Sequence, residues 1–83
     1  MIKKIEESID DYLSTNSVTN QLDSSERELL KKFLYDFAHY SKSADCIETL
    51  LKFAKNTLTD KRRFSSDLAK ISNEALAMIL NLK

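Results

Sequence analysis

The sequence contains neither glycine nor proline among its 83 residues. Tight hairpin turns usually need a residue at positive φ, and glycine fills that position at the least steric cost. A β-sandwich or barrel with many tight turns is therefore disfavoured, whereas helices joined by Ser, Thr, Asn and Asp loops need neither residue. The same absence excludes the glycine-rich loops that cradle phosphates and the glycine-flanked serine of hydrolases.

Residues that bind metals or act as nucleophiles are also scarce. His39 is the only histidine, so a metal site built on several imidazoles is excluded within one chain. Cys46 is the only cysteine, so no intrachain disulfide can form, which fits a cytoplasmic protein. A nucleophilic pair of the two lacks an orienting third group at recognisable spacing, and we expect a buried thiol and a half-exposed imidazole instead. The sequence predicts no catalytic, cofactor-binding or metal-binding residues.

Long apolar runs are absent too. The longest, Ala75 to Leu80, has six residues, far short of the roughly 20 that a membrane-spanning helix needs. The first residues, Met1 to Glu7, turn acidic where a signal peptide would need an apolar core. We therefore expect a cytoplasmic protein with a single helical domain, residues 1–83, because a chain of this length has room for no more.

Formal charge is zero overall but is unevenly spread along the chain. Up to Ser41 there are five basic and eight acidic residues, a net −3, so the remainder carries +3. A nucleic-acid binder usually has a stronger basic excess. The polarity favours a later half that faces an anionic surface or partner, and a charge distribution that serves only solubility is the alternative.

Apolar residues recur at helical spacing in four segments, separated by short polar stretches such as residues 14–21. Four helices with short connections predict an all-α protein, an antiparallel four-helix bundle. We expect Tyr12, Tyr35 and Tyr40 at the edges of the apolar stripes, with their hydroxyls in solvent. The predicted inward positions are Ile2, Ile5, Ile9 and Leu13; Leu29, Leu30, Phe33, Leu34, Phe37 and Ala38; Ile47, Leu50, Leu51, Ala54 and Leu58; and Leu68, Ile71, Ala75, Leu76, Ile79 and Leu82.

Capping patterns mark the starts of the last three helices. For the third helix two patterns fit, because a serine and a neighbouring acidic pair could each satisfy the free N–H groups. For the second helix, Asp23-Ser24-Ser25 offers an N-cap, and Ser25 with Glu28 matches a capping box. The other predicted starts are either Asp45 with Glu48 or Ser43 alone, and a hydrophobic staple followed by a cap within Phe64 to Asp67.

Two features of the later half favour a protein partner. Basic residues cluster at the junction before the fourth helix, and the end of that helix is apolar on more than one face. The junction could equally be a solvated loop that complements the negative end of the third helix, and the apolar residues could be extra core. An exposed apolar strip beside a basic loop would suit a partner groove or a membrane-associated complex. The predicted partner-binding residues are Lys61, Arg62, Arg63, Met78, Leu80 and Leu82.

Three stretches share features with one known family. They are Leu22–Leu30, an acidic and serine-capped helix start; Leu50–Leu58, a leucine-rich helix; and Lys61–Ser72, in which Arg and an apolar residue precede Asp-Leu. In these stretches the sequence resembles the small cytoplasmic immunity proteins of pediocin-like, class II bacteriocins. The resemblance implies an antiparallel four-helix bundle, no catalysis, no cofactor and a cytoplasmic location.

The resemblance also implies a partner. Family members recognise the bacteriocin bound to its receptor, the membrane part of the mannose phosphotransferase system, and block the resulting pore from inside. The later half of the chain, above all the last helix and a tail after it, governs which bacteriocin is resisted. This sequence ends at Lys83, so we expect little tail. Peripheral membrane association is compatible with this function, and binding to nucleic acid is not expected.

Two other classes of protein remain open. Residues 66–77 can be aligned with a helix-turn-helix whose turn is Ser72-Asn73. Its recognition helix, Glu74 to Leu82, would be almost entirely apolar and unsuited to reading base edges. A small phage- or host-encoded adaptor that inhibits a protein machine through one helix face is the other alternative, and no residue excludes it.

Overall fold

The chain folds into four α-helices; the structure, a computed structural model, describes residues 2–81, with side chains from residue 4 to residue 81. The helices are α1 (Ile2–Thr15), α2 (Ser24–Ser41), α3 (Ala44–Thr57) and α4 (Phe64–Asn81), with 3-10 turns at Thr19–Gln21 and Lys61–Arg63. No strand occurs among the described residues. The radius of gyration, 11.9 Å, matches the ~12 Å of a compact chain of this length. The predicted all-α antiparallel four-helix bundle is confirmed.

Polar contacts between side chains show the direction of α1 against α2. The Tyr35 hydroxyl donates a 2.6 Å hydrogen bond to Asp10 Oδ1, and His39 Nε2 lies 3.9 Å from Glu6 Oε2. From Tyr35 to His39 the contacts move four residues toward the end of α2, and their partners move four residues toward the start of α1. The two helices are therefore antiparallel. α1 packs mainly against α2 and α4 mainly against α3, while α1 also contacts α3, α2 also contacts α4, and α2 and α3 contact each other. The two central helices therefore lie between α1 and α4.

The connection between α1 and α2 is more ordered than the predicted loop at residues 14–21. Thr19 is fully buried, and its hydroxyl oxygen lies 2.9 Å from both the Leu13 and the Asn16 carbonyl oxygens. The Arg27 guanidinium, from α2, donates to the Leu13 carbonyl at 2.8 Å and to the Thr19 carbonyl at 3.3 Å. Because the Leu13 carbonyl is among the last of α1, the cation also complements the negative end of that helix.

The N-cap of α2 lies within the predicted stretch Asp23-Ser24-Ser25, but the predicted capping box, Ser25 with Glu28, is wrong by two residues. Asp23 is the N-cap: its carboxylate accepts from the Glu26 N–H at 2.8 Å, and Glu26 Oε1 accepts from the Asp23 N–H at 3.1 Å. The Ser25 hydroxyl donates to the same carboxylate at 2.8 Å. These bonds, the one from the Glu26 N–H first, lower the pKa of Asp23. A carboxylate at this position also complements the positive end of the helix, which a serine cap would not do.

The start of α3 follows the second of the two predicted patterns. Ser43 is the N-cap and accepts from the Cys46 N–H at 3.3 Å, while Asp45 lies in the first turn. Just before it, Lys42 ends α2 in the left-handed conformation, with φ 51° and its N–H donating to the Ala38 carbonyl at 2.9 Å. Glycine is usual at such a helix end because it has no Cβ to clash. In a chain without glycine, Lys42 bears that steric cost.

The start of α4 differs from the prediction. No cap forms within Phe64–Asp67, because α4 begins at Phe64, directly after the 3-10 turn. Asp60 caps that turn instead, and its Oδ1 accepts from the Arg62 N–H at 2.9 Å. Since the turn runs straight into the helix, no separate cap is needed at the helix start. Asp67, one of the predicted cap residues, is buried in the first turn of α4.

The apolar stripes predicted for α1 and α3 are confirmed wherever side chains are described, and those of α2 and α4 only in part. Leu29 and Leu76, predicted to point inward, are 52% and 56% exposed. Each lies at the edge of a stripe wider than the surface that the neighbouring helices cover. Ile2 and Leu82, also predicted inward, lie outside the described side chains. The buried apolar residues are Ile5, Ile9, Tyr12, Leu13, Leu22, Leu30, Leu34, Phe37, Ala38, Ile47, Leu50, Leu51, Ala54, Leu58, Phe64, Ile71 and Ala75.

Candidate partner-binding surface

α2 and α4 run in the same direction and leave an apolar groove of about 330 Å³ between them. The described lining is aromatic and aliphatic except for one serine and one carboxylate. It consists of Phe33, Asp36, Phe37 and Tyr40 from α2 and Ser72, Ala75, Leu76 and Ile79 from α4.

The large apolar side chains that the described residues expose lie on these same two helices. Leu29 and Tyr40 of α2, and Leu76 and Leu80 of α4, are each more than half exposed. Leu29 lies one turn before a groove residue and Leu80 one turn after another, so all four belong to the surface that contains the groove. We call this surface, residues 29–40 with residues 69–80, the α2/α4 face. Contiguous exposed apolar surface of this kind marks interaction sites.

The partner-binding residues predicted on α4 lie only partly on this face. Leu80 is exposed there, whereas Met78 is half-buried and packs against the core. Leu82 lies outside the described residues. Leu76 belongs to the face although the apolar spacing of α4 predicts a core position for it. The sequence did carry a signal for it, since Ala69, Asn73, Leu76 and Leu80 form a second stripe, spaced four, three and four residues apart, and all four are exposed.

The basic junction is exposed, and one of its three residues is already engaged. The guanidinium of Arg62 holds the Asp60 carboxylate, with Nη2 2.9 Å from Oδ2 and Nε 3.2 Å from both oxygens. The hydrogen bonds from this side chain, then that from its backbone N–H, lower the pKa of Asp60 to about 2. Among the described residues, Lys61 and Arg63 have no ion-pair partner within 4.0 Å. The cationic groups left for a partner are therefore Lys61 and Arg63.

The structure does not bring the basic junction and the apolar end of α4 together. Seventeen positions of helix separate Arg63 from Leu80, a rise of about 25 Å. The junction lies instead near the start of α2, where the charge of Lys61 contributes to the lowered pKa of Asp23. The predicted arrangement, an apolar strip beside a basic loop, is therefore wrong because the helix between the two is continuous.

The Cys46–His39 pair, a metal site and the helix-turn-helix segment were the alternatives to a partner-binding surface. Cys46 is half-buried at the start of α3, and His39 is exposed beside Glu6 on the α1/α2 side. Among the described residues, no three His, Cys, Asp or Glu side chains are grouped to hold a metal ion. α4 runs unbroken through Ser72-Asn73, so the turn of the helix-turn-helix alternative is not formed.

Besides Thr19, two buried side chains that carry polar groups were not predicted. Tyr12, expected at a stripe edge with its hydroxyl in solvent, is 2% exposed, and burial raises its pKa to about 12. Its hydroxyl has no hydrogen-bond partner among the described residues. Asp67 is also buried, and its Oδ2 lacks such a partner as well. Its place in the first turn of α4 offsets part of the cost, since the positive end of a helix favours an anion.

Comparison with known proteins found no match among protein-family models, curated proteins or solved structures. Over residues 2–81, no helix is long and apolar enough to cross a membrane. The surfaces that suit a partner are the α2/α4 face and the basic junction.

Proposed function

We propose that this protein is a non-catalytic immunity protein, which protects a bacteriocin-producing cell by binding the bacteriocin-occupied membrane receptor from the cytoplasmic side. The observation that carries the proposal is the α2/α4 face. A groove walled by Phe33, Phe37 and Ile79, with exposed Tyr40 and Leu76 at its rims, suits an apolar segment of another protein. The sequence resemblance supplies the class of partner, a membrane component of the mannose phosphotransferase system with its bound bacteriocin.

The basic junction adds a second contact to this proposal. The cytoplasmic leaflet of a membrane is anionic, and each Lys or Arg near its surface contributes about 1 kcal/mol. Lys61 and Arg63 are exposed and free for that role, whereas Arg62 is held by Asp60. Because the junction and Leu80 lie about 25 Å apart, a partner that contacts both must extend along α4. No cofactor takes part in this mechanism.

One other function draws support from the same face. An apolar groove between two parallel helices accepts an amphipathic helix from any partner that presents one. An adaptor that inhibits a cytosolic protein machine would use the groove without needing the basic junction. The two functions therefore differ in what they require of Lys61 and Arg63.

Survival assays with variants test the immunity proposal. Leu76→Asp with Leu80→Asp places two charges on the α2/α4 face and should abolish protection of a sensitive strain. Thr49→Asp with Asn56→Asp, two exposed positions on α3, is the matched control and should retain protection. Circular dichroism must show that both variants are helical. Full protection by the folded Leu76/Leu80 variant would remove the face from the mechanism.

A second pair of variants tests the junction. Lys61→Glu with Arg63→Glu reverses the free charges and leaves the Arg62–Asp60 pair intact. We expect protection to fall with this variant, because the reversed charges repel an anionic membrane surface. Unchanged protection would remove the junction from the mechanism and leave the face as the contact.

A further inference from the structure

The four helices form two hairpins, α1 with α2 and α3 with α4, which are joined through Lys42 and Ser43 alone. Hydrogen bonds hold the first hairpin together, above all those that Arg27 donates to the end of α1. Among the described residues, no hydrogen bond or ion pair joins one hairpin to the other. Apolar packing therefore holds the two hairpins to each other, together with the Lys55 ammonium, which lies 6.0 Å from the centre of the Tyr12 ring.

Three clefts lie along the boundary between the hairpins, which we call the seam. The apolar groove of about 330 Å³ lies where α2 of the first hairpin meets α4 of the second. Two further clefts, of about 250 and 130 Å³, lie where α1 meets α3, and they share Ser8 and Glu48. α2 and α3 contact each other between these two places. The groove and the α1/α3 clefts are therefore on opposite sides of the α2/α3 contact.

Opposite charges line the two walls of the α1/α3 clefts. In the larger cleft, α1 contributes Asp11, while Lys52, Lys55 and Glu48 give the α3 wall a net positive charge. In the smaller cleft, α1 contributes Lys4 and α3 contributes Glu48. None of these groups forms an ion pair within 4.0 Å across a cleft. Narrowing the clefts would therefore bring opposite charges together and lower their electrostatic energy.

We infer that the second hairpin rotates as a rigid body on the first about the α2/α3 contact, so that the groove widens as the α1/α3 clefts narrow. Packed helices commonly slide by about 1–2 Å in such transitions. Lys42 and Ser43, the residues outside the helices, absorb the change in backbone angles. Because Lys42 holds a left-handed φ of 51° at a steric cost, the connection does little to fix the present arrangement. The inference does not depend on the proposed function, since it concerns the chain without a partner.

The two arrangements of the hairpins should both be populated. A narrow groove keeps more of its apolar lining from water, whereas a wide groove gains ion pairs on the opposite side of the molecule. Exposed ion pairs each contribute little, so the two populations should differ by less than about tenfold. A segment that binds in the groove would favour the wide arrangement. The charges of the α1/α3 clefts would therefore change its affinity without touching it.

Distances between pairs of nitroxide labels, measured by pulsed electron paramagnetic resonance on the full chain, test this motion. Cys46→Ser removes the native thiol, and cysteines then replace two of four exposed residues at a time, one from each helix: Glu7, Lys32, Thr49 and Asn73. The pair Lys32→Cys/Asn73→Cys measures the distance from α2 to α4, and Glu7→Cys/Thr49→Cys that from α1 to α3. The pairs Glu7→Cys/Lys32→Cys and Thr49→Cys/Asn73→Cys lie within one hairpin each and serve as references.

Asp11→Lys should favour the narrow groove, because it places a positive charge opposite the net positive wall of α3. The distance from α2 to α4 should fall by roughly 1–2 Å and that from α1 to α3 should rise by a similar amount, while both reference distances stay constant. Adding Lys52→Glu makes the α3 wall net negative and should reverse most of the shift. Glu28→Lys makes the same change of charge at an exposed residue that lines none of the three clefts, and is the matched control. About 1 M NaCl screens the charges and should act on the wild-type sequence as Asp11→Lys does.

Several outcomes would overturn the inference. Distances across the seam that change neither with Asp11→Lys nor with salt would show that the hairpins are fixed to each other. Two distances across the seam that change in the same direction would indicate separation of the hairpins instead of rotation. An equal shift in Glu28→Lys would exclude the cleft charges as the cause. Circular dichroism of each variant verifies the fold, and the salt titration tests the same prediction without any charge substitution.

Discussion

Replacing Arg27 by methionine should destabilise the fold by about 2 kcal/mol. The guanidinium donates to the Leu13 carbonyl at 2.8 Å, to the Thr19 carbonyl at 3.3 Å and to Asn20 Oδ1 at 3.4 Å. A hydrogen bond to a charged group contributes roughly 1.5–3 kcal/mol, but only the first of these is short. The Thr19 carbonyl keeps a second donor, the Leu22 N–H at 3.3 Å, and the Leu13 carbonyl shares the single proton of the Thr19 hydroxyl, 2.9 Å away, with the Asn16 carbonyl. The stability lost in Arg27→Met is therefore close to the contribution of one charge-assisted hydrogen bond.

Urea and thermal unfolding followed by circular dichroism measure this loss. For a chain of this size, about 2 kcal/mol lowers Tm by roughly 8–16 °C. Arg27→Lys keeps the charge at the end of α1 but not the forked donor, and should lose about half as much. Arg63→Met removes an exposed guanidinium and should change stability by less than about 0.5 kcal/mol. If Arg27→Met and Arg63→Met are equally stable, the hydrogen bonds from Arg27 to the end of α1 do not contribute to the stability of the fold.

Three further predictions concern buried or capping groups. Tyr12→Phe removes a buried hydroxyl that has no described partner, so stability should stay level or rise by up to about 1 kcal/mol in urea titrations; a clear loss would show that the hydroxyl is satisfied. The pKa values of Tyr12 and Tyr35 are both raised from 10 to about 12, by burial in the first and by the hydrogen bond to Asp10 in the second. Folding therefore favours the protonated phenols, so the free energy of unfolding should be constant below pH 10 and fall between pH 10 and 12. The fall should be smaller in Tyr12→Phe, and a free energy of unfolding that does not change over this pH range would contradict the raised pKa values. Asp23→Ala should lower stability at pH 7, because the N–H groups at the start of α2 lose their acceptor. Because the folded pKa of Asp23 is lowered, that difference should persist above about pH 4 and disappear as acid protonates the carboxylate; a difference that persists in acid would exclude the charge as its source.

The helices and their inward faces could be predicted where one stripe is narrow and its flanks are polar. Ile5, Ile9 and Leu13 satisfy that condition on α1, and all three are buried. α2 and α4 carry apolar residues over a wider arc, so spacing alone cannot decide which edge the neighbouring helix covers. α2 packs against the other three helices and α4 against α2 and α3, and Leu29 and Leu76 lie on the edges that none of these neighbours covers.

Contacts between residues that are far apart in the chain could not be predicted from the sequence. Arg27 reaches Leu13 across 14 positions, and no local pattern indicates that a guanidinium on α2 will meet the end of α1. Tyr12 was predictable, since it lies three residues after Ile9 on the same buried face. The capping box of Asp23 with Glu26 was predictable as well, because Glu26 follows this N-cap candidate at capping-box spacing and a carboxylate complements the helix dipole as a serine does not.

The measurement that tests the proposed function most directly is the killing of a sensitive lactic acid bacterium that expresses this chain, by a panel of pediocin-like bacteriocins. Immunity predicts survival against one or a few members of the panel and unchanged killing by the others, with loss of survival in Leu76→Asp/Leu80→Asp. Unchanged killing by every bacteriocin, with the protein shown to be expressed and folded, would contradict immunity and favour an adaptor that uses the same groove.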